Sequence, residues 1–544
     1  MLTDKLYLPT RMIPKSQKKI NSKISNQLIH GYLIWKVEYK NNFLKFNIMK
    51  AICLIPLLIV CFSSVFAQEK EKPIQDPIIF ETSHQGTFHG KSISYKAIAG
   101  ETYLKNSDGD PTAAVWSTTY VKDEPDPSKR PVLFIFNGGP GSASVWLHMG
   151  VFGPRVVQVD SDANSDDGAA PFKVINNDLA LLDVTDLVFI DPVGTGYSQV
   201  IGKGKVEDFW GLNEDARSIA QFIRLWITQH QRWQSPKYIA GESFGTTRAA
   251  AVSAELEGGG QAMALNGLIL ISQALDYQGS TSTHDNIASY FTYFPTMAAT
   301  AWYHGKAGHG KKLEDFVEEA RGFAYDTYLP ALYKGNQLST EGKEALAEKI
   351  SYFTGLDKAY VLRSDNRILT SRFKKELLRA DGKTIGTLDG RYLGEEGDQT
   401  ADRPTLGDPS SYGIDAAYTA ALNDYFSRTL KIQMERPYLT SNRAIGGKWN
   451  WRPVAESAYW EPSYVNVTRG LGESMRRNKD LKILVANGYY DLITPFLDAE
   501  YTFARHGIPM ERVKMAHYEG GHMMYNHRPD FEKLVNDIRE FMGK

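Results

Sequence analysis

Between residues 78 and 124 the chain alternates apolar and polar positions, broken at Gly residues and at Asn106-Ser107-Asp108-Gly109. A period of two with such breaks predicts antiparallel strands joined by tight turns. Five later runs are apolar throughout: 131–136 (PVLFIF), 186–190 (DLVFI), 237–240 (KYIA), 268–272 (LILIS) and 481–486 (LKILVA). A strand that is apolar on both faces must be covered on both, which predicts buried parallel strands. Residues 213–230 set Ile219, Phe222, Ile223 and Trp226 at helical spacing, with Asn213 placed to cap the helix. From about 276 to 440 the strand-like runs vanish. Residues 313–332 and 340–354 read as aromatic-rich helices, and the Gly- and Asp-rich stretch 380–407 interrupts them. The pattern therefore predicts an α/β chain with a central, mostly parallel sheet. Its core comes from residues 68–275 and 441–544, and a helical cap is inserted at 276–440. No internal repeat is visible.

The first 67 residues follow another pattern. Met49-Lys50 precedes a short apolar run, 51–66 (AICLIPLLIVCFSSVF), which ends in Val65-Phe66-Ala67. A basic start, a short apolar stretch and a small-residue end read as a secretory signal at 49–67. The run is short for a membrane span, and a signal anchor is the competing reading. Residues 1–48 show no fold pattern and read as an upstream extension. Both cysteines, Cys53 and Cys61, lie in the apolar run, so neither a disulfide framework nor a cysteine-ligated metal is expected after it. Cys61 is a poor site for lipid modification, because the large Val60 precedes it.

Charge narrows the function classes. The 544 residues hold 62 basic and 63 acidic side chains, a formal net charge of −1, and 23% are charged in all. Residues 1–67 keep ten of the basic and two of the acidic ones, so the remainder carries 52 against 61, a formal −9. An acidic chain argues against nucleic acid as the partner. An exported, cysteine-free acidic chain points to a periplasmic or secreted enzyme without stable membrane insertion.

The chemistry concentrates after the apolar runs. Gly241-Glu242-Ser243-Phe244-Gly245 follows the KYIA strand and precedes a helix-like run at 246–256. Strand, sharp turn and helix are the context in which G-x-S-x-G presents a nucleophilic serine. A serine hydroxyl needs a base, and the base needs an orienting carboxylate. Asp491 stands after the 481–486 strand in Asn487-Gly488-Tyr489-Tyr490-Asp491. His522 follows Gly520-Gly521 near the C-terminus, which gives the order Ser, Asp, His. His517 and His527 are the rival histidines; the first ends a strand and the second precedes a surface-like Arg-Pro-Asp. Asn137-Gly138-Gly139-Pro140-Gly141 follows PVLFIF, where backbone N–H groups can face a carbonyl oxygen together with the N–H of Phe244. No Lys-Ser/Thr pair follows it, so a phosphate loop is disfavoured. Residues 191–198 (DPVGTGYS) either line the site or brace it. Asn466-Val467-Thr468 fits a glycosylation acceptor. No metal-ligand spacing is visible and no cofactor is expected.

Taken together, FNGGPGSAS (136–144), FGP (152–154), FIDPVGTGYS (189–198), GESFG (241–245), NGYYD (487–491) and GGHM (520–523) resemble the serine carboxypeptidase family. The resemblance implies an α/β-hydrolase fold with a helical insertion and removal of C-terminal amino acids from peptides. It implies Ser243 as nucleophile, His522 as general base and Asp491 as its orienter. It assigns the N–H groups of Gly139 and Phe244 to the oxyanion hole, and Asn137, Gly138 and Glu242 to the substrate's terminal carboxylate. A carboxyl facing a carboxylate must keep its proton, which favours acidic working pH. Two positions depart from the family pattern: Val151 stands where a second Glu is common, and Ile135 where a Trp is common. Arg155 or Arg248 are candidates to compensate by ion pairing, although Arg248 equally fits a place behind Ser243. Ser142 stands where the family commonly has Cys. The partner expected is a peptide with a free C-terminus, and a homodimer is compatible with the sequence. The alternatives are an esterase or acyltransferase with the same triad, and a non-enzymatic binding scaffold.

Overall fold

The computed structural model describes residues 74–159, 163, 168–452 and 463–544. The upstream extension and signal read at 1–67 lie outside them. All elements below belong to the unit Asp76–Lys544. An antiparallel meander forms first: β1 (Ile79–Phe88), β2 (Lys91–Lys105) and β3 (Pro111–Lys122). The five apolar runs follow as β4 (Val132–Phe136), β5 (Asp186–Ile190), β6 (Lys237–Glu242), β7 (Gly267–Ile271) and β8 (Lys482–Gly488), and the more polar β9 (Val513–Tyr518) comes last. They sit in the order β1-β2-β3-β5-β4-β6-β7-β8-β9, and a short strand, Gln199–Val200, adds beside β3. From β5 to β9 all neighbours are parallel, whereas β3 meets β5 antiparallel. This is an α/β-hydrolase sheet. One connection leaves β4 toward β5, and the chain then returns to the other side of β4 as β6. Ligands of open α/β sheets bind at such a reversal, beyond the strands' C-terminal ends.

The helices used below are α1 (Leu212–Gln229), α2 (Phe244–Gly258), α3 (Phe294–Tyr303), α4 (Leu313–Phe323), α5 (Thr340–Thr354), α6 (Ile414–Asp424), α7 (Thr468–Arg477), α8 (Phe496–Phe503) and α9 (Arg528–Phe541). Side chains of α1, α2 and α7 bury one face of the sheet with Phe134, Ile190, Ile239 and Leu270. Residues of α9, of α6 and of 145–157 bury the other face. Helices α3, α4 and α5 build a third core that runs on into Tyr490, Leu492, Phe496 and Leu497, so the insertion is packed onto the loop after β8. Among the described residues no helix is long and apolar enough to cross a membrane.

Two details differ from the sequence expectation. Asn213 does not cap α1. Gly211 does, held in a bridge to Asn450 while the Leu212 N–H donates to Asn450 O at 3.1 Å, so a distant contact fixes where the helix begins. The stretch 380–407 also contains strand: Lys383–Ile385 pairs antiparallel with Leu393–Glu395, and the tip of this hairpin reaches the site below.

Candidate active site

Ser243 occupies the single residue between β6 and α2, at φ 60° and ψ −130°. A non-glycine residue is strained there and persists only where its surroundings impose it. The flanking glycines make the turn possible. A Cβ on Gly241 would collide with the Gly245 carbonyl, and one on Gly245 would lie 2.8 Å from Phe136 O. The Ser243 N–H is tied to Ile271 O at 3.0 Å. The Phe244 N–H is the first of α2, and the first N–H groups of a helix lack intrahelical acceptors.

The loop after β4 lies directly against this turn. A Cβ on Gly138 would stand 2.5 Å from Phe244 N and 2.7 Å from Glu242 O, so only glycine lets the two backbones approach. Gly139 has φ 103°, another conformation natural to glycine. Residues 191–198 brace this loop rather than line it. Asp191 Oδ1 accepts from Ser144 N at 2.8 Å, and Ser144 Oγ donates to Ile190 O.

Two strands further along, Asp491 and His522 meet. His522 Nδ1 is 2.8 Å from Asp491 Oδ2, and both residues are buried. Asp491 Oδ1 also accepts from the N–H groups of Ile493 (2.8 Å) and Thr494 (2.9 Å), and Thr494 Oγ1 donates to Oδ2 at 2.6 Å. With four donors on one carboxylate, the ring is held with Nδ1 toward Asp491. Ser272 Oγ donates to His522 O at 2.6 Å, tying the His loop to the end of β7, beside the elbow. Burial pulls the His522 pKa down, but the Asp491 charge and hydrogen bond and the nearby Glu242 outweigh it, and the pKa ends above its ordinary value. His517 and His527 lie elsewhere: His517 Nε2 contacts Glu500 at 3.1 Å and His527 Nδ1 contacts Asp530 at 2.9 Å.

Glu242, Asn137 and Gly138 converge beside the serine. Asn137 Oδ1 accepts from Leu147 N at 3.0 Å, which leaves its amide N–H groups to face Glu242. Glu242 is buried, and burial pushes its pKa up to about 7, against the opposing pull of His522 and of a hydrogen bond from Tyr525. The Tyr525 hydroxyl donates to Glu242 Oε2 at 2.6 Å. Neither arginine reaches this group. Arg248 is buried behind the elbow, with Nε 2.6 Å from Asp215 and Nη1 donating to Asn137 O at 2.5 Å. Arg155 lines a separate small cavity with His84, Tyr95 and Tyr425. Val151 and Ile135 are fully buried core residues. Asn466 uses its Oδ1 to accept from Thr468 N at 2.9 Å, at the start of α7.

The tip of the hairpin, residues 386–392, closes over the Asp and His loops. His522 N donates to Leu388 O (2.6 Å), Leu492 N to Thr387 O (3.0 Å) and Gly390 N to Tyr490 O (2.9 Å). Gly521 N donates to Asp389 Oδ2 at 3.0 Å, and Asp408 accepts from Thr387 N and Leu388 N at 2.8 and 3.0 Å. This explains the glycine before His522, since a Cβ on Gly521 would strike Leu388 O. Sequence reasoning missed Thr494, Tyr525, Asp389 and Asp408. Thr494 had a local signal, the D-x-x-T turn pattern after Asp491. The other three are assembled only by the fold. On the far side of Ser243, Trp449 and Trp451 set their rings edge-on to Phe244 at 5.3 and 5.7 Å. Among the described residues no cluster of three or more His, Cys, Asp or Glu is arranged to hold a metal.

Residues 108–527 match the model of the family described as serine carboxypeptidase. Serine carboxypeptidase-like 16 of Arabidopsis thaliana is 26% identical over 165 residues, 29% of this chain and 36% of that protein. Serine carboxypeptidase-like 20 of the same plant is 26% identical over 234 residues, 43% of this chain and 42% of that protein. The chain thus aligns with well under half the length of these relatives. Among solved structures, proline iminopeptidase of Mycobacterium smegmatis overlaps 81% of this chain and 97% of its own at 14% identity and a TM-score of 0.32. With the family match spanning most of its length, the chain belongs to the serine carboxypeptidase family.

Proposed function

We propose that the protein is an exported serine-type carboxypeptidase that removes C-terminal amino acids from peptides through an acyl-enzyme on Ser243. The observation that carries this reading is the convergence of the strained Ser243 turn, the Asp491–His522 pair and the buried Glu242 at the C-terminal ends of β6 to β9. Ser243 Oγ attacks the last peptide carbonyl while His522 Nε2 takes its proton. The carbonyl oxygen, now negative, is met by the N–H groups of Gly139 and Phe244. His522 returns the proton to the departing amine and the acyl-enzyme forms. Water, deprotonated by His522, then releases the shortened peptide and restores Ser243. Asp491 keeps the ring oriented and stabilises the imidazolium between the steps. Asn137, the Gly138 N–H and a protonated Glu242 hold the substrate's terminal carboxylate. Attack needs neutral His522 and recognition needs protonated Glu242. Activity on peptides is therefore bell-shaped in pH, with His522 setting the acid limb and Glu242 the alkaline one.

A second reading is an esterase or acyltransferase with the same triad. Buried, apolar Val151 and Ile135 favour it, because neither adds a polar group beside Glu242. Export to the periplasm or medium rests on the sequence pattern at 49–67. The test compares a blocked dipeptide bearing a free C-terminal carboxylate with its amide, across acidic to neutral pH. Release of the last residue from the free acid alone supports the carboxypeptidase reading. Equal cleavage, or turnover of simple esters only, supports the second. Ser243→Ala lowers kcat by at least about 10³-fold in either case; retained turnover refutes both.

A further inference from the structure

The turn His148–Phe152 lies against Tyr525, whose hydroxyl reaches Glu242, and it carries no side-chain acid or amide. It offers room instead. A Cβ on Gly150 would stand 2.6 Å from the Tyr525 ring and 2.6 Å from the Tyr418 hydroxyl, so the missing side chain is what admits both tyrosines. Tyr418 spends its hydroxyl on Asn526 Oδ1 at 2.7 Å. Tyr525 spends its own on Glu242 Oε2 at 2.6 Å. The ionisable groups facing Glu242 are His522 and Asp491 from the loops after β9 and β8, Tyr525 from the turn after His522, and Tyr418 from α6.

We infer that Tyr525 is a positioning residue for carboxylate recognition: its hydroxyl occupies Glu242 Oε2 and so directs the single acid proton of Glu242, on Oε1, at the substrate's terminal carboxylate. The Asn137 amide also hydrogen-bonds Glu242, and the Tyr525 donation to Oε2 disfavours the proton on that oxygen. The buried phenol keeps its own proton throughout the working range, since burial and the nearby Glu242 push its pKa well up. Two carboxyls sharing a site titrate as a coupled pair. A carboxyl paired with a phenol shares its acid proton with no second carboxyl, although the nearby His522 shifts where that proton is lost. Donation to the ionised form also makes Glu242 the stronger acid. Removing the donor therefore extends carboxylate binding to higher pH while loosening its geometry. This inference rests on the carboxypeptidase reading.

The test measures binding without turnover, by calorimetry on Ser243→Ala and on Ser243→Ala/Tyr525→Phe. The ligands are the blocked dipeptide acid and its amide. The ratio of amide to acid Kd cancels contributions that do not depend on the terminal carboxylate, and both variants keep His522, so its charge enters both profiles alike. In Ser243→Ala the ratio should fall with rising pH along a one-proton slope. In the double variant its midpoint should move up by about one pH unit, a tenfold change in the ratio on the alkaline side, while the ratio at low pH drops severalfold. A purely structural role for Tyr525 would weaken both ligands alike and leave the midpoint in place, and that result overturns the inference. A ratio that favours the acid equally at every pH in Ser243→Ala also overturns it, even if the double variant fails to fold, because no Glu242 proton would then take part in recognition. Equal binding of acid and amide at every pH refutes the carboxypeptidase reading itself and this inference with it.

Discussion

Glycines at the site are conspicuous at the scale of single residues, because each marks a place where two backbones touch. Gly138 brings the loop after β4 against Phe244 N and Glu242 O, and no side chain fits between them. Gly138→Ala should push the Gly139 and Phe244 N–H groups apart. Losing one oxyanion donor costs about 10²–10³-fold in kcat, and that range is expected here with a smaller effect on KM. Steady-state kinetics on an ester substrate checks it, since an ester needs the oxyanion donors but no carboxylate recognition. Ser243, Asp491 and His522 were legible one at a time, because strand ends and chain order constrain them. Asn137, Gly138 and Glu242 came from the resemblance, and their convergence on one spot is visible only in the structure.

At the scale of elements, the parallel strands were readable to within a residue or two. A strand buried on both faces has to be apolar throughout, and few other segments are. The hairpin inside the insertion was not readable. Its strands are three residues each, too short for a period to show. Its tip nevertheless bonds both loops that carry Asp491 and His522, so the insertion helps to orient the pair. Asp408 fixes that tip through two backbone N–H groups and a hydrogen bond from Ser410 Oγ at 2.6 Å. Asp408→Ala should release Thr387 and Leu388 and let the His522 loop drift. A displacement of about 1 Å is enough to cost up to 10²-fold in rate. The expected result is a kcat reduced by about 10–100-fold with a few degrees lost in Tm; unchanged kcat would remove the hairpin from the catalytic frame. Alternatives that sequence left open at Arg248 and at residues 191–198 were decided by packing. Arg248 is committed to Asp215 inside the core, and residues 191–198 support the glycine loop from behind.

Across the whole molecule, one buried histidine links stability to pH. His148 stacks on Phe189 with ring centroids 4.0 Å apart, and its Nε2 lies 2.7 Å from the Tyr120 hydroxyl. Burial pushes its pKa down from 6.5 to about 3. Between those values the unfolded chain binds a proton that the folded one does not. The stabilisation from neutral His148 is therefore complete above pH 6.5 and is lost as pH falls toward 3, at about 1.4 kcal/mol per pH unit. His148→Gln keeps a hydrogen-bond partner for Tyr120 and removes the titration. Urea unfolding from pH 7 to 4 should then show a shallower loss of stability than in the unaltered protein; parallel curves would refute the assignment. The sequence alone determined the class of fold and the order of the core strands along the chain, and it singled out Ser243, Asp491 and His522 as candidates, since burial on two faces and a tight turn each leave local marks. Only the tertiary structure decided the order of strands across the sheet, the seat of the hairpin tip over the His loop, and the pairing of Tyr525 with Glu242. Those depend on contacts between segments up to 283 residues apart, and no local pattern records which distant side chain fills a given space.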